Sequence, residues 1–245
     1  MLSRPEGDKY VDPLYSHFVS LKGEFEAEGL TRDEIAAEVL FAARRGLDYV
    51  VKIGGCEAKS DCLFLQQLGV RSIVAPMIET AFAMEKYMGM LPLGFFDNIG
   101  VTIETFTAVN NIEEILDAGT RLTNVTIGRT DLNASFRGPS VDSPVVVDKV
   151  KIVARAARKR GLLVTMGGSI NSRTRELLRA DGELRSLLHH VETRKAVLTV
   201  AQCTENGALE AAIDAEHELL NLRTVIVGDR RDAVHQRMNV IRSRI

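Results

Sequence analysis

A charged residue recurs near the end of five successive apolar runs, at an almost constant interval along the chain. These residues, separated by 26, 27, 25 and 27 positions, are Glu26, Lys52, Glu79, Glu104 and Asp131. A β-strand, a crossover helix and two short loops together take roughly 25 to 30 residues. The interval therefore predicts consecutive βα units with one charged group at the same end of each strand. In a closed parallel barrel those strand ends meet at one mouth, where side chains from several units can act together.

The length of the chain and the number of apolar runs fit one closed barrel. A chain of 245 residues is close to the roughly 250 that a typical (β/α)₈ barrel needs. Eight strand candidates can be placed, from VSLKGEFEAEG as the first to VETRKAVLTV as the seventh and RTVIVG as the eighth. No linker or low-complexity stretch interrupts the series. We therefore predict an α/β fold, a (β/α)₈ TIM barrel, formed as a single domain by residues 1–245.

Composition excludes several classes of function. The formal net charge of −2 argues against a nucleic-acid-binding surface, because such surfaces need a large excess of positive charge. No apolar run is long enough to span a bilayer, and the N-terminal MLSRPEGDKY lacks the apolar core of a signal peptide. Three cysteines, Cys56, Cys62 and Cys203, form no disulfide framework. We expect a cytoplasmic protein without a membrane or nucleic-acid partner.

Glu104 and Asp131 are the strongest candidates for chemistry. Each ends an apolar run, so neither resembles an ordinary solvated surface acid. Two carboxylates on adjacent strand ends can bind one hard divalent cation, with water and substrate oxygens completing its shell. Mg²⁺ suits such a site because it is held by few protein carboxylates and keeps positions open for a ligand. The alternative is a pair of strand-end acids bonded to loop amides.

Two further candidates are Glu79, which belongs to a repeated tripeptide, and Arg129, a basic residue close to Asp131 in the sequence. The tripeptides Ile78-Glu79-Thr80 and Ile103-Glu104-Thr105 are identical and occupy the same position in adjacent units. Glu79 is therefore expected either to contact the metal ligands without binding the metal itself or to pair with Lys52. Arg129, two positions before Asp131, is expected to reach the substrate or the acids, unless it is a surface-loop arginine.

The first predicted strand carries alternating acids. Glu24, Glu26 and Glu28 share one face of an extended strand, because side chains alternate between the two faces. Three acids on one face repel one another unless cations lie among them, and Lys52 on the next strand is the natural partner. At least one of the three is expected to form only a structural ion pair.

Two coupled motifs carry a family resemblance. GVTIET, followed 27 residues after its glutamate by the aspartate of IGRTDLNASFRG, resembles the signature of the HpcH/HpaI aldolase and citrate lyase β-subunit superfamily. VVKIGGCEAKSDCLFLQQLGVRSIVAPMIETAFA resembles the two preceding units, so the likeness covers roughly residues 24–138. It implies a (β/α)₈ barrel with a bound divalent metal, Mg²⁺ or Mn²⁺. It also implies that Glu104 and Asp131 are the metal ligands.

The chain departs from the family pattern at two points. Lys52 stands where the family commonly has an arginine that binds the substrate carboxylate, and a lysine offers a point charge in place of a planar fork. The family also has a histidine base after its first strand, but no histidine lies between His17 and His189. Glu26 or Glu28, or a water molecule, would have to replace it. A barrel lysine also leaves open a Schiff-base aldolase.

The function expected from these features is cleavage or formation of a carbon–carbon bond through the enolate of pyruvate or a related 2-oxo acid, with a small 2-oxo acid or aldehyde as substrate. Lys52 would hold substrate charge and a Glu26-centred acid would move the proton. The alternatives are a CoA-thioester lyase of the citrate or malyl type and a barrel subunit without catalytic activity. The resemblance and two predicted C-terminal helices, at 205–222 and 232–245, favour a homo-oligomer.

Overall fold

The computed structural model describes residue 12 and residues 15–242. Eight strands close into one barrel in sequence order, each hydrogen-bonded to the next and the last to the first. They are β1 (Ser20–Glu24), β2 (Asp48–Lys52), β3 (Ser72–Ala75), β4 (Asn98–Ile103), β5 (Asn124–Gly128), β6 (Leu163–Gly167), β7 (His190–Glu192) and β8 (Ala196–Thr199). The predicted TIM barrel is confirmed.

Helices follow most strands and form the outer layer of the barrel. They are α1 (Arg32–Arg44), α2 (Lys59–Leu68), α3 (Ala81–Met90), α4 (Phe106–Asn110), α5 (Ile112–Ala118), α6 (Arg129–Ser135), α7 (Pro144–Lys159), α8 (Ser172–Ala180), α9 (Gly182–Leu187), α10 (Val200–Thr204) and α11 (Ala208–Arg242). No helix in the described part of the chain is long and apolar enough to cross a membrane.

Strands β1 to β7 run parallel, which is why their carboxyl ends meet at one mouth. Their apolar residues fill the core; in β4, for example, every residue after Asn98 is buried. Short polar residues start the helices that return the chain. Thr31 forms a capping box with Glu34 at the start of α1, in which each side chain accepts a hydrogen bond from the backbone N–H of the other residue.

The last strand runs antiparallel to both of its neighbours. VETRKAVLTV holds the end of β7 and all of β8, joined by a tight turn in which the N–H of Thr193 donates to the Ala196 carbonyl (2.9 Å). The predicted single seventh strand is therefore wrong. The turn contains no glycine, proline or asparagine that would have revealed it in the sequence.

The predicted eighth strand is also wrong, because RTVIVG lies within α11. The β-branched residues of this segment favour a strand by intrinsic preference, but tertiary contacts override such preferences. Arg223 pairs from α11 with Glu28 and Glu38 (Nε–Oε1 2.8 Å to Glu38). The helices predicted at 205–222 and 232–245 are accordingly parts of one helix over the described residues.

A buried group of charges joins α11 to the barrel. Lys195 lies 2.6 Å from Glu28 and 3.0 Å from Glu38, and its side chain is almost fully buried, as are both carboxylates. Tyr49 donates a hydrogen bond to Glu38, and burial raises the pKa of its phenol well above the ordinary value. We call these four residues together with Arg223 the buried charge cluster.

Candidate active site

The carboxyl ends of the parallel strands open into a cavity of about 800 Å³. Its lining comes from the barrel strands, from the β7–β8 turn, from the start of α8 and from α11. Charged side chains on the lining are Lys22, Glu24, Lys52, Glu104, Asp131, Arg175, Glu192, Arg194, Glu210 and Glu216. Of the five charged residues at the regular interval, Lys52, Glu104 and Asp131 line this cavity.

Acids and lysines alternate across the barrel side of this cavity. Lys22 Nζ lies 2.8 Å from Glu192 and 2.9 Å from Glu24. Lys52 Nζ lies 4.0 Å from Glu24 and 3.3 Å from Glu104. The register explains the order, because Glu24 is the residue of β1 that pairs with Lys52 of β2. Lys22 precedes Glu24 by two positions and therefore faces the same side.

Glu104 follows β4 directly and is withdrawn from solvent, with 2% of its side chain exposed. Its Oε1 accepts a hydrogen bond from the Met77 N–H (3.1 Å) and its Oε2 accepts one from Lys52. Burial raises the pKa of the Glu104 carboxyl, and the nearby charge of Asp131 adds to that effect, while Lys52 and the Met77 amide oppose it. The site thus keeps a carboxylate in an environment that disfavours its charge.

The backbone around Glu104 is shaped to hold it. Met77 has a φ of 53°, a left-handed conformation that is costly for a residue with a side chain. This conformation accompanies the hydrogen bond from its N–H to Glu104. A Cβ on Gly128, at the end of β5, would come within 2.9 Å of Glu104 Oε2. Only glycine therefore leaves room for Glu104 at this position.

Asp131 lies in the first turn of α6, not at a strand end as expected, and its side chain is exposed to the cavity. The 27-residue interval still brings it to the same cavity as Glu104, because β4 and β5 are neighbours. Among the described residues no group of three or more histidine, cysteine or acidic side chains could hold a metal. Two carboxylates with open coordination positions fit Mg²⁺ or Mn²⁺.

Charge balance across the cavity also fits a divalent cation. Six carboxylates line it, those of Glu24, Glu104, Asp131, Glu192, Glu210 and Glu216, against four cationic groups, those of Lys22, Lys52, Arg175 and Arg194. When all are ionised this leaves an excess of two negative charges, and unneutralised charge in a confined site is costly. One divalent cation would remove the excess.

Glu26 and Glu79 do not line the cavity. Strand β1 ends at Glu24, so the expectation that Glu26 ends the strand is wrong; Glu26 is exposed beside Gly54. Strand β3 ends at Ala75, four residues before Glu79. The Ile-Glu-Thr repeat reflects helix capping, since Thr80 and Thr105 each accept a hydrogen bond from the backbone N–H three residues later.

Arg129 is neither a surface arginine nor a lining residue. It is fully buried, and its guanidinium donates to Asp142 Oδ1 (2.6 Å), to the carbonyls of Gly167 (3.2 Å) and Gly168 (2.7 Å) and to Thr174 Oγ1 (3.1 Å). Burial lowers its pKa and the charge of Asp142 opposes that effect. The expectation of direct substrate contact is wrong: Arg129 ties the end of β6 to α8 and to the loop after α6.

Several lining residues were not predicted from the sequence. Lys22 and Glu192 belong to this group, and the Lys-x-Glu alternation inside the first apolar run was the signal that could have revealed Lys22. Arg175 and Arg194 were also missed. They come from α8 and from the β7–β8 turn, two parts of the chain outside the regular interval, so spacing could not have identified them.

Comparison with known proteins places this geometry in context. The family described as HpcH/HpaI aldolase/citrate lyase matches residues 33–185, which is more than half of the chain. No curated protein matches the chain.

Solved structures share the fold at low sequence identity. An HpcH/HpaI aldolase of Desulfitobacterium hafniense is 16% identical with a TM-score of 0.60, over 81% of this chain and 82% of that one. An HpcH/HpaI aldolase/citrate lyase family protein of Burkholderia cenocepacia is 16% identical with a TM-score of 0.61, over 84% and 87%. A malate synthase of Haloferax volcanii, in a ternary complex with pyruvate and acetyl-CoA, is 17% identical with a TM-score of 0.56, over 75% and 58%.

Proposed function

Because the chain belongs to the HpcH/HpaI aldolase/citrate lyase family, we propose that it is a carbon–carbon lyase or aldolase that depends on a divalent metal. The substrate class is pyruvate or a related 2-oxo acid, together with a small aldehyde or other carbonyl partner. The reaction forms or breaks the bond between the carbon next to the keto group and the carbonyl carbon of the partner.

The observation that carries this proposal is the shared cavity of Glu104 and Asp131 beside Lys52. The two carboxylates would hold Mg²⁺ or Mn²⁺. When bound, such a metal supplies Lewis-acid chemistry that stabilises the negative charge of an enolate. The buried position of Glu104 excludes water from one side of the site, which strengthens electrostatic interactions there.

Lys52 is the residue best placed to bind the substrate carboxylate. Its Nζ already lies 3.3 Å from one carboxylate and 4.0 Å from another, so it occupies a position that selects anionic oxygens. A lysine gives a single point charge, and we therefore expect weaker orientation of the substrate than an arginine fork would give.

Glu24 replaces Glu26 as the candidate for proton transfer. It lies in the cavity between Lys22 and Lys52, whereas Glu26 does not line it. Burial opposes the effect, but the two lysines lower the pKa of the Glu24 carboxyl, so it is ionised at neutral pH and able to accept a proton. A lowered pKa also makes it a weak base, which predicts slow enolisation.

A CoA-thioester lyase is the second candidate function. It is favoured by the fold shared with the malate synthase solved with pyruvate and acetyl-CoA, and by two arginines on the cavity lining. A third candidate is a barrel without catalytic activity, which the departures at Lys52 and at the family's histidine would suit. A chain of that kind would have no need for a metal-competent pair at Glu104 and Asp131.

Deuterium exchange into the methyl group of pyruvate, followed by NMR, tests the proposal. Exchange should require Mg²⁺ or Mn²⁺ and should stop on addition of a chelator. Glu104→Gln and Asp131→Asn should each lower the exchange rate by at least about 100-fold, because each removes one of only two protein ligands.

Glu79→Gln is the matched control, since it changes the same glutamate of the repeated tripeptide outside the cavity; its exchange rate should equal that of the wild type. Metal-independent exchange, or full exchange in either ligand variant, would contradict the metal mechanism. No exchange with any metal, combined with metal binding by calorimetry, would favour the CoA-thioester function instead.

A further inference from the structure

Glu192 is a further carboxylate of the cavity that is largely withdrawn from solvent, and the reaction proposed above does not use it. It ends β7, lines the cavity, and has 14% of its side chain exposed. Its Oε1 accepts a hydrogen bond from Lys22 Nζ (2.8 Å), whereas its Oε2 accepts none from the described residues. A carboxylate with one oxygen anchored and the other open to the cavity is able to take a proton from a ligand.

The end of β6 leaves room for Glu192. A Cβ on Gly167 would lie 2.9 Å from Glu192 Cγ and 3.0 Å from its Oε1. The same relation holds on the neighbouring strand, where a Cβ on Gly128 would lie 2.9 Å from Glu104 Oε2. Gly128 and Gly167 are register partners. Two adjacent strand-end glycines thus each make room for one glutamate.

This arrangement limits the distance between the two glutamates. Neighbouring strands lie about 5 Å apart, so Glu104 Oε2 and Glu192 Oε1 are separated by at most about 11 Å. A small 4-hydroxy-2-oxo acid fits within that span. With its 2-oxo acid half beside Glu104, its hydroxyl group is directed towards Glu192.

A continuous series of ion pairs connects the same two glutamates around the mouth. Lys52 lies 3.3 Å from Glu104 and 4.0 Å from Glu24. Lys22 lies 2.9 Å from Glu24 and 2.8 Å from Glu192. The order of this series matches the order of groups in the substrate. Lys52 faces the carboxylate, Glu24 the carbon next to the keto group, and Glu192 the hydroxyl beyond it.

Lys22 holds the last two carboxylates of the series in place. It is buried, and burial alone would lower the pKa of its ammonium group, but the charges of Glu192 and Glu24 outweigh that effect and raise the pKa. The ammonium group therefore stays charged at neutral pH and is not itself a base. Both carboxylates lie within 2.9 Å of this one nitrogen atom, so a proton has a short route between them.

We propose that Glu192 is the catalytic base that takes the hydroxyl proton of a 4-hydroxy-2-oxo acid as its carbon–carbon bond breaks, a role that rests on the proposed function. The electrons of the O–H bond form the carbonyl group of the aldehyde, and those of the broken carbon–carbon bond pass into the enolate of pyruvate. The proton passes from Glu192 through solvent to Glu24, which delivers it to the enolate carbon. Synthesis follows the same steps in reverse, with Glu192 as the proton donor.

Two rates measured on the same protein separate this role from enolisation. Deuterium exchange into pyruvate requires proton transfer at the methyl carbon alone, and no hydroxyl group takes part. Cleavage of 4-hydroxy-2-oxopentanoate to pyruvate and acetaldehyde also requires removal of the hydroxyl proton. Both rates are measured with Mg²⁺, exchange by NMR and cleavage by reduction of the released pyruvate with lactate dehydrogenase and NADH.

Glu192→Gln should lower the cleavage rate by at least about 100-fold, the usual contribution of a general base, and the exchange rate by less than about 10-fold. Glu192→Asp should recover part of the cleavage rate, because it restores a carboxylate. Glu24→Gln should lower both rates, since the enolate must be protonated at the end of cleavage. Glu210→Gln removes a carboxylate from another part of the lining and is the control; its ratio of cleavage to exchange should equal that of the wild type.

Equal losses of cleavage and exchange in Glu192→Gln would overturn the proposal, because they would show a role in enolisation or in folding. Cleavage that survives the substitution would overturn it as well, and so would a wild type that exchanges pyruvate but does not cleave the hydroxy acid. A wild type without exchange would contradict the proposed function and, with it, this role. The exchange rate thus distinguishes failure of the proposed function from failure of the assignment of Glu192.

Discussion

Glu104 is a carboxylate that folding has removed from water. The rise in its pKa means that the folded protein holds this proton more tightly than the unfolded chain does. Ionisation of Glu104 therefore costs stability as the pH rises from the ordinary pKa of a glutamate through the raised one. The cost is present at neutral pH in the absence of a cation and is absent in acid.

Glu104→Gln should therefore stabilise the metal-free protein at pH 7 while abolishing its activity. We expect a rise in Tm of about 2–4 °C, which corresponds to roughly 1 kcal/mol in a chain of this size. The gain should shrink towards pH 4, where Glu104 of the wild type is protonated. Mg²⁺ should raise the Tm of the wild type alone. A variant less stable than the wild type at pH 7 would show that Lys52 and Met77 outweigh the burial of Glu104.

Lys52 is expected to bind charge without forming a covalent bond. Lys52→Ala should raise KM for the 2-oxo acid by about 10- to 100-fold, because a hydrogen bond to a charged group contributes roughly 1.5–3 kcal/mol. Lys52→Arg should keep measurable activity, since it restores the charge. Borohydride treatment with pyruvate, followed by mass spectrometry, is the decisive measurement. A stable adduct on Lys52 would replace the metal mechanism by an imine.

Of the five residues that the strand interval placed at the mouth, three line the cavity, and Glu26 and Glu79 do not. Lys52, Glu104 and Asp131 line one cavity because neighbouring parallel strands align their ends. The predicted end of the first strand, Glu26, lies two residues beyond the observed end, because an alternating acidic segment gives no sign of where a strand ends. Arg129 could not be assigned, because its partners Gly167 and Thr174 are about 40 residues away in sequence.

At the scale of elements, the buried charge cluster determines where α11 packs. Lys195 lies 2.6 Å from Glu28 and 3.0 Å from Glu38, and Arg223 of α11 pairs with the same two carboxylates. Lys195→Met should lower the free energy of unfolding by about 3–5 kcal/mol, because it leaves two buried carboxylates with one remaining cation. Urea denaturation measures this loss.

Arg231→Met, in α11 but outside the buried charge cluster, provides the comparison. Arg231 and Asp232 form an exposed pair at 3.7 Å, and such pairs contribute less than about 1 kcal/mol. If both substitutions cost the same, the cluster does not fasten α11.

The elements that the sequence failed to predict are those that contacts from distant parts of the chain decide. RTVIVG is helical because Arg223 reaches Glu28 and Glu38, both nearly 200 residues earlier. The β7–β8 turn forms because the backbone groups of β1 on the side away from β2 need hydrogen-bond partners. Strand β8 supplies them in antiparallel orientation. The periodicity of apolar residues within a short stretch of sequence reveals neither of these long-range contacts.

For the molecule as a whole, homo-oligomer formation remains a prediction. Exposed apolar side chains on α11 include Leu220 (45%) and Val225 (59%), which suits an interface at this helix. Light scattering at micromolar concentration should give a multiple of 27.0 kDa.

The double variant Leu220→Glu/Val225→Glu should reduce the mass to that of one chain if α11 forms the interface. Leu93→Glu, at an exposed apolar residue outside α11, should not. A wild-type mass of a single chain would refute the prediction.

The antiparallel β8 also gives the barrel wall a seam. Its ladder to β1 joins only two residue pairs, Ser20 with Val197 and Leu21 with Ala196, whereas β1 and β2 share five. Lys22 and Glu192 reach across this narrow strip from β1 and β7 and meet inside the barrel. The β1–β8 ladder is thus one of the two shortest in the wall, together with that of β6 and β7, and an ion pair bridges it from within. Local opening at this seam should therefore disturb the charge pattern of the cavity directly, because the Lys22–Glu192 pair spans it.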